Sequence, residues 1–238
     1  TNTNDDLSSD FPATYKYSNG NVYCDRSNPY DTNVAGAVNV YLSDENTKEQ
    51  GQQVYYADGS NGKLINLIPG TTYKWVSADN SETYGYVKAV GTRRMISLST
   101  ARNVRDLGGL TGKDGHNIKY GILFRGEQIS SDDVQILQQK LDVDYEYDLR
   151  RESQNGSHFT GYNTNLCMIH YNINTNKSAY YDYTRNTLVS LMNDVIDGKS
   201  IYFHCSHGAD RTGTLAYLVE ALLGVDYETR ARDYELTT

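Results

Sequence analysis

The sequence predicts an α/β domain with a mainly parallel central sheet flanked by helices, preceded by a small all-β sandwich domain. From about residue 93 onwards, helical and strand-like segments alternate, which is typical of an α/β domain. Residues 11–92 instead show short strand-like segments separated by turns. All three prolines, Pro12, Pro29 and Pro69, lie in this first part. We therefore expect a domain boundary between residues 92 and 93, with residues 1–10 as a disordered N-terminus.

The first part contains strand-like segments over residues 34–42 and 54–56. Residues 67–73 then resemble the Leu-x-Pro-Gly-Thr-x-Tyr turn of fibronectin-III- and Ig-like sandwiches. A proline–glycine corner followed by a strand with alternating aromatic residues is the physical content of that turn. The resemblance implies a β-sandwich over residues 11–92.

The second part predicts seven elements, each from its apolar spacing and its start or stop signals. In chain order they are a helix capped by Ser131, a strand over residues 145–149, a strand over 166–169 within an otherwise irregular segment 153–182, a helix over 188–196 that ends at Gly198, a strand over 201–203, a helix over 214–223 that ends at Gly224, and a final helix over 226–236.

Residues 204–214 lie between one of these strands and the following helix. A tight loop in that position directs several backbone N–H groups at one anion. A thiol at Cys205 would be ionised at neutral pH, because the helix dipole, the loop amides and Arg211 favour its negative form. Arg211 can also donate two parallel hydrogen bonds to phosphate oxygens. The segment therefore predicts a cysteine nucleophile inside a phosphate-binding loop.

The same loop resembles the protein tyrosine phosphatase motif His-Cys-x-x-Gly-x-x-Arg-Ser/Thr. The match includes every fixed position, here His204, Cys205, Gly208, Arg211 and Thr212. So many constraints over nine residues make an ordinary strand–helix turn with a buried cysteine a poor explanation, because such a turn needs neither Gly208 nor Arg211.

Four further segments narrow the resemblance to bacterial-type tyrosine phosphatases. They are the Asn-x-Arg-Asp-Leu-Gly-Gly sequence within residues 101–109, Phe124-Arg125-Gly126, Asp148-Leu149-Arg150 with Glu152 two residues on, and Asp-Arg-Thr-Gly over residues 210–213. They occur in the expected order, so the resemblance covers residues 93–238. Family members continue for some tens of residues, which leaves open that the catalytic domain is truncated at its C-terminus.

The resemblance and the loop chemistry together assign roles. Cys205 attacks phosphorus, and Arg211 with the loop amides stabilises the charge on the transferring phosphoryl group. The other substrate-binding positions are Ser206, His207, Gly208, Ala209 and Thr212. Three alternatives stay open: Thr212 stabilises the leaving thiolate or caps the helix, His204 holds the loop or simply packs, and His207 touches substrate or is only exposed.

The general acid is open among three residues. Because no proline follows Pro69, a Trp-Pro-Asp loop cannot supply it. Asp210, inside the loop, is the first candidate, and family resemblance supports it. Asp148, at a strand end, is the alternative, with an ion pair to an arginine as its structural role. Asp182, in the segment expected to be irregular, is the third.

Several other polar residues of the motifs are expected to support the site rather than to react. We expect ion pairs around the loop from Arg105, Asp106, Arg125, Arg150 and Glu152. Gly108 and Gly109 are expected to permit a tight turn.

Composition limits the partners. The net charge of −8 argues against nucleic acid and against anionic membrane surfaces. No run of about 18 apolar residues occurs, so no transmembrane helix is expected. Cys24 and Cys167 accompany Cys205, and their pairing is left open. The chain starts at Thr1 without a signal peptide, and the sandwich favours a secreted or cell-surface location.

The sequence thus favours a protein tyrosine phosphatase that needs no metal or other cofactor and acts on phosphotyrosine proteins or other phosphomonoesters. A phosphatase of phosphoinositides or inositol phosphates is the first alternative. It is weakened because Ala209 stands where some lipid-acting relatives have lysine. The second alternative is a phosphopeptide-binding pseudophosphatase with an adhesive sandwich, which the Cys205/Arg211 pair disfavours. The oligomeric state is not predicted.

Overall fold

The computed structural model describes residues 15–18, 21–24, 30–32, 34–42, 53–55, 62–89, 91–151, 153–154, 156–161, 163–165 and 177–236. The chain forms two compact units, Thr1–Ser97 and Leu98–Thr238. The sequence places the domain boundary between residues 92 and 93, whereas the structure divides after Ser97.

The described residues of the first unit form strands and no helix. The strands are β1 (Tyr15–Ser18), β2 (Asn21–Cys24), β3 (Tyr30–Asp31), β4 (Val38–Leu42), β5 (Gln53–Tyr55), β6 (Lys63–Leu64), β7 (Thr72–Ser77), β8 (Tyr84–Lys88) and β9 (Arg94–Met95). Antiparallel pairing joins β1 to β2 and β3 to β6, and it builds a sheet in the order β5-β4-β7-β8. The packing of these sheets into a sandwich stays a prediction.

The turn before β7 has the chemistry that its sequence requires. Gly70 has φ of 81°, and the Thr71 N–H donates to the Ile68 carbonyl at 3.2 Å. Proline followed by glycine at positive φ is the pattern of a type II turn. The buried Tyr73 hydroxyl accepts a hydrogen bond from the Ile68 N–H at 3.0 Å, which anchors the new strand to the turn.

The second unit has a central sheet with helices. Its strands are β10 (Arg105–Asp106), β11 (Leu123–Gly126), β12 (Tyr145–Asp148), β13 (Asn163–Asn165) and β14 (Ile201–His204). Its helices are α1 (Ser131–Lys140), α2 (Lys177–Ile196), α3 (Asp210–Leu222) and α4 (Tyr227–Glu235), with a short 3-10 helix at Lys113–Gly115. The strands run in the order β13-β12-β14-β11-β10, parallel except for β10. The predicted α/β class with a mainly parallel sheet is confirmed for this unit.

β14 places the candidate site at the middle of the sheet. It lies between β12 and β11, and all four of its residues are buried. Ile201 and Phe203 belong to the apolar core together with Leu215 and Val219 of α3. Because successive side chains alternate across a strand, Tyr202 and His204 lie on the opposite face, and both faces of β14 are buried. The loop after β14 thus starts at the carboxyl end of a central strand, where open α/β sheets bind ligands.

Three element predictions need correction. Helix α1 is capped by Ser130 and not by Ser131, because Ser130 and Asp133 exchange side-chain and backbone hydrogen bonds in a capping box. Helix α2 begins at Lys177, so the segment predicted as irregular is helical from there onwards. Helix α3 begins at Asp210, four residues before the expected start. The strand expected over residues 166–169 lies outside the described residues, and β13 ends just before it.

Candidate active site

The loop between β14 and α3 ends in a helix start without a side-chain cap. Ala209 is the N-cap residue of α3, and its methyl group offers no acceptor for the first-turn amides. Those N–H groups have no partner within the helix itself, and the helix dipole adds positive potential at the same end. The end of the loop is therefore suited to bind an anion.

Cys205 is the first residue after β14 and is 3% exposed. Burial raises the pKa of its thiol, but the hydroxyl and amide of Thr212, the amide of His207 and the charge of Arg211 together outweigh burial. The pKa of the Cys205 thiol therefore lies below its ordinary value. A lower pKa increases the fraction of thiolate at a given pH, and the thiolate is the nucleophilic form.

Arg211 points its guanidinium back toward the strand ends. Its Nη1 donates to the Leu149 carbonyl at 3.3 Å and to Gln154 Oε1 at 3.4 Å, and the residue is 6% exposed. These contacts hold a planar, charged fork close to Cys205.

Two features of the structure require glycine at position 208, its positive φ and the lack of space for a Cβ atom. Its φ is 70°, and a Cβ atom there would come within 2.6 Å of the Gly126 carbonyl carbon. Its carbonyl accepts hydrogen bonds from Arg125 Nη2 at 2.8 Å and from Asn103 Nδ2 at 3.3 Å. A larger residue at this position would displace the loop from β11.

The remaining substrate-binding candidates differ in exposure. Ser206 is half-buried, and its hydroxyl accepts a hydrogen bond from Gln154 Nε2 at 3.3 Å. His207 is exposed, Ala209 is half-buried, and Thr212 is buried with its hydroxyl and amide directed at the Cys205 sulfur.

His204 is linked to a buried carboxylate behind the loop. Its Nε2 lies 2.9 Å from Glu146 Oε1, and its Nδ1 lies 3.2 Å from the Cys205 carbonyl oxygen. Glu146 also accepts from the Phe159 amide at 2.7 Å, and its Oε1 lies 2.8 Å from His158 Nδ1. Burial raises the pKa of Glu146, but His204 and these hydrogen bonds outweigh burial and hold it below its ordinary value. Of the two roles left open for His204, these bonds support the one that holds the loop.

The three candidate acids are in different surroundings. Asp210 is the first residue of α3 and is exposed. Asp148 accepts from Arg150 Nε and Nη2 at 2.9 and 2.8 Å, and from the Arg150 amide at 2.9 Å. Burial raises the pKa of Asp148, but the Arg150 bonds outweigh it, so that pKa lies below its ordinary value. Asp182 is an exposed residue of α2, 3.7 Å from Arg185, rather than part of an irregular segment.

Three of the five residues that the sequence places in ion pairs form them, the arginines Arg105, Arg125 and Arg150, and one of their partners is not suggested by the sequence. Arg150 pairs with Asp148 at 2.8 Å, whereas Arg105 and Arg125 both pair with Asp233 of α4 at 2.9 Å. Burial and the charge of Arg105 lower the pKa of Arg125 to about 10, against the opposite effect of Asp233. Arg125 therefore stays charged at neutral pH.

Two other expectations concern the turn at residues 106–109. Asp106, expected in an ion pair, accepts the Gly108 and Gly121 amides at 2.8 and 2.7 Å, so it stabilises the turn. Gly109 has φ of 84°, and a Cβ at Gly108 would come within 2.5 Å of the Tyr120 Cα. Both glycines serve the tight turn that the sequence predicts. Glu152 lies outside the described residues.

Sequence reasoning missed Asn103, Glu146, Gln154 and Asp233 as contributors to the site. Asn103 lies inside a quoted motif without an assigned role. Glu146 carries a usable signal, because an acid inside a strand that is buried on both faces must be paired. Gln154 and Asp233 carry no local signal.

One cluster among the described residues has the composition of a cation site. Ligand atoms of Glu146, Asp148 and His158 lie within 4.8 Å of one another. Both carboxylates of the cluster already have hydrogen-bond partners, since Glu146 bonds to His204 and Asp148 accepts from Arg150. A cation there would be adjacent to a buried guanidinium, so we interpret the cluster as a charge network. In the part of the chain that the structure describes, no helix has the length and apolar character needed to cross a membrane.

The chain is similar to known tyrosine phosphatases. The Cupriavidus necator protein named "Putative tyrosine-protein phosphatase H16_A0669" is 26% identical over 175 residues, which are 61% of this chain and 64% of that relative. The chain thus spans less than two thirds of that curated relative's length. Two crystal structures of P. aeruginosa TpbA, one in complex with pTyr, match at 15% and 16% identity with a TM-score of 0.33, over 50% of this chain and 70% of theirs. A TM-score of 0.33 is too low to establish that the folds are the same.

The match to a family model is more extensive. The model described as tyrosine phosphatase family covers residues 96–238, which is more than half of the chain and includes every motif residue around Cys205 and Arg211. The chain therefore belongs to the tyrosine phosphatase family.

Proposed function

We propose that this chain is a protein tyrosine phosphatase that hydrolyses phosphomonoesters through a phosphocysteine intermediate. The observation that carries the proposal is the position of the buried Cys205 thiol, directly after β14 and at a helix start without a side-chain cap, with the Arg211 guanidinium held nearby by Leu149 and Gln154. Family membership and the name of the curated relative support the same substrate class.

In the first step, the Cys205 thiolate attacks phosphorus and a P–S bond forms while the P–O bond to the tyrosine oxygen breaks. Arg211 and the loop amides of residues 206–212 bind the non-bridging oxygens and stabilise their charge in the transition state. The leaving phenol has a pKa of about 10, so it leaves far more easily when an acid protonates it.

We propose Asp210 as that acid. It is exposed at the loop, whereas the Asp148 carboxylate is held ionised by Arg150 and is a poor proton donor. In the second step, water attacks phosphorus, the P–S bond breaks and orthophosphate leaves. The Thr212 hydroxyl and amide, which already stabilise the thiolate, stabilise it again as the leaving group.

The experiment that tests the proposal compares the parent protein with Cys205→Ser. The parent should hydrolyse para-nitrophenyl phosphate and a phosphotyrosine peptide, vanadate should inhibit it, and EDTA should not. Cys205→Ser should lose turnover and still bind phosphate, because the loop amides and Arg211 remain. Activity in the variant, or loss of parental activity on chelation, would contradict the mechanism. Absence of turnover in the parent would favour the phosphopeptide-binding alternative.

A substrate panel separates the remaining alternatives. Phosphotyrosine peptide, phosphoserine peptide, phosphoinositide and phytate are compared by kcat/KM. Ala209 offers no cation to a second phosphate, and the net charge of −8 opposes approach to anionic lipid, so we expect the phosphotyrosine peptide to be preferred.

We also propose that the first unit is a β-sandwich of the fibronectin-III or Ig-like type. The antiparallel pairing of its described strands and the Tyr73 anchor at the type II turn support it. A crystal structure of the chain tests this proposal. A single-layer sheet over residues 11–92 would contradict it.

A further inference from the structure

The Gly208 carbonyl accepts hydrogen bonds from two side chains. One belongs to Arg125 of β11, and the other belongs to Asn103, two residues before β10. Arg125 Nη2 donates at 2.8 Å, and Asn103 Nδ2 donates at 3.3 Å. No step of the proposed reaction uses these bonds. They nevertheless act on the middle of the phosphate-binding loop, only three residues after the nucleophile.

These two bonds decide which way the peptide between Gly208 and Ala209 faces. In a planar trans peptide the carbonyl oxygen and the next N–H point in opposite directions. Donors that hold the Gly208 oxygen therefore also direct the Ala209 N–H away from themselves. Gly208 has φ of 70°, a conformation that glycine adopts without strain. Because the backbone at Gly208 is this permissive, we infer that the two donors set the orientation of the peptide that follows it.

Asp233 of α4 holds one of the two donors, Arg125, directly, and it also holds Arg105. Its carboxylate accepts from Arg105 Nε at 2.9 Å, from Arg105 Nη2 at 3.0 Å and from Arg125 Nη1 at 2.9 Å. The Asp233 carbonyl accepts a further bond from Arg105 Nη2 at 2.7 Å. Each guanidinium is a rigid fork, so fixing one end of it fixes the other.

Arg105 also sets the orientation of the Asn103 amide. Its Nη1 donates to Asn103 Oδ1 at 2.7 Å. An arginine can only donate, so the oxygen of the amide must face Arg105 and the nitrogen must face the Gly208 carbonyl. Two chains of hydrogen bonds thus connect α4 to the loop, Asp233–Arg125–Gly208 and Asp233–Arg105–Asn103–Gly208. We call these two chains together the relay.

We propose that Asp233 and Asn103 are positioning residues that turn the Ala209 N–H into the phosphate site. This inference rests on the proposed function, because it names what orders one of the phosphate donors of that site. It also assigns a structural role to Asn103, Arg105 and Arg125, which lie in the motifs at residues 101–109 and 124–126.

The relay can be told apart from simple stabilisation because it acts on the phosphate and not on the sulfur. The hydrogen bonds that lower the Cys205 pKa come from Thr212 and His207. Loss of the relay should therefore weaken phosphate binding and leave the ionisation of the thiol unchanged. A general loosening of the loop would change both.

The test variant is Asn103→Gly with Asn66→Gly as its matched control. Both asparagines have positive φ, 55° and 64°, which glycine tolerates, and neither change adds charge. Asn66 also forms two side-chain hydrogen bonds, with the Ser97 amide at 2.6 Å and the Ser97 carbonyl at 3.1 Å. Each variant loses two side-chain hydrogen bonds, and of the two residues only Asn103 bonds to the loop.

Inorganic phosphate is the probe, and its affinity is measured by protection of Cys205 from iodoacetate. We expect Asn103→Gly to weaken protection by about 10-fold to 100-fold, the size of one hydrogen bond to a charged group. The pH profile of alkylation without phosphate should match the parent. Asn66→Gly should protect like the parent. Asp233→Asn should weaken protection in the same direction, provided that the circular dichroism spectrum matches the parent.

Parental protection in Asn103→Gly, or equal loss in both glycine variants, would overturn the proposal. A shifted alkylation profile in Asn103→Gly would do so as well, since it would mean that the whole loop has moved. Phosphate protection does not depend on turnover. A parent that binds phosphate but hydrolyses nothing would therefore refute the proposed function and leave this result standing.

Discussion

Replacing each of the two leading candidate acids by asparagine separates proton donation from structural support. Asp148 accepts three hydrogen bonds from Arg150, and both side chains are buried. Asp210 is exposed at the first residue of α3. We therefore expect Asp148→Asn to lower mainly the free energy of unfolding, and Asp210→Asn to lower mainly the rate for a poor leaving group.

The size of the stability effect follows from the burial of the pair. Removing one partner of a buried ion pair costs about 3–5 kcal/mol, because the other charge is left uncompensated. Asparagine keeps one acceptor oxygen for Arg150, so we expect about 3 kcal/mol for Asp148→Asn. In a chain of this size that lowers Tm by about 6–12 °C. Asp210→Asn loses only a favourable helix-dipole interaction, worth about 0.3–1 kcal/mol.

The size of the rate effect depends on the leaving group. General acid catalysis is worth about 10²–10⁴-fold when the leaving oxygen is basic. Asp210→Asn should lose a factor in that range with a phosphotyrosine peptide and much less with an activated aryl phosphate. The alkaline limb of its pH–rate profile should also flatten. Asp148→Asn should slow both substrates by a similar factor.

The assay is kcat for both substrates in the two variants side by side, at a temperature where each is folded by circular dichroism. Thermal unfolding of the same preparations supplies Tm. Leaving-group sensitivity in Asp148→Asn and its absence in Asp210→Asn would refute the assignment of the acid. A Tm of Asp148→Asn equal to the parental value would refute its role in the buried pair.

Three further predictions follow from the same contacts. Arg211→Lys keeps the charge but loses the planar fork, so kcat should fall by at least ~10²-fold; a rate near the parental one would exclude Arg211 as the phosphate clamp. Thr212→Ala removes the buried hydroxyl that helps to lower the pKa of the Cys205 thiol, so that pKa, read from the pH dependence of iodoacetate alkylation, should rise; an unchanged profile would contradict this effect of the hydroxyl. Despite burial, which raises them, the pKa values of Asp133, Glu146 and Asp148 lie below their ordinary values. Such carboxyls stabilise the fold above their unfolded pKa of about 4, and that stability is lost as pH falls through the folded values, so urea midpoints should drop below about pH 4.

The local chemistry of the loop could be predicted because its constraints lie within a few residues of one another. The positive φ of Gly208 and the position of Cys205 at a strand end depend on local backbone geometry. The short apolar run over residues 201–203 predicts the strand that the structure shows at Ile201–His204. The predicted strand ends one residue too early, because a histidine paired with a buried Glu146 does not look like a core residue.

Predictions of helix boundaries were wrong where sequence signals compete or are missing. Ser130 and Ser131 are adjacent, but an acid three residues on exists only for Ser130, because Val134 occupies that place for Ser131. Helix α2 begins in a Tyr- and Thr-rich segment whose intrinsic helix propensity is low, and its buried residues Thr184, Thr187 and Leu191 lie further along the helix. The start of α3 lacks a side-chain cap at Ala209, which removed the usual signal.

The role of Asp233 could not be predicted from local pattern, because 128 residues separate it from Arg105. Nothing near it in the sequence distinguishes it from the other acids of α4. Only the fold brings a helix near the end of the chain against β10 and β11 and makes that one carboxylate the partner of two buried arginines.

The distribution of partners among the arginines explains how an acidic chain can bind phosphate. Arg105 and Arg125 share the Asp233 carboxylate, and Arg150 pairs with Asp148. Arg211, in contrast, donates to neutral acceptors, the Leu149 carbonyl and the Gln154 amide oxygen. A phosphate that enters the loop therefore meets a guanidinium whose charge is not already balanced by a carboxylate in these contacts. Arg105, Arg125 and Arg150 shape the site, and Arg211 supplies the local positive charge that a net charge of −8 would otherwise deny it.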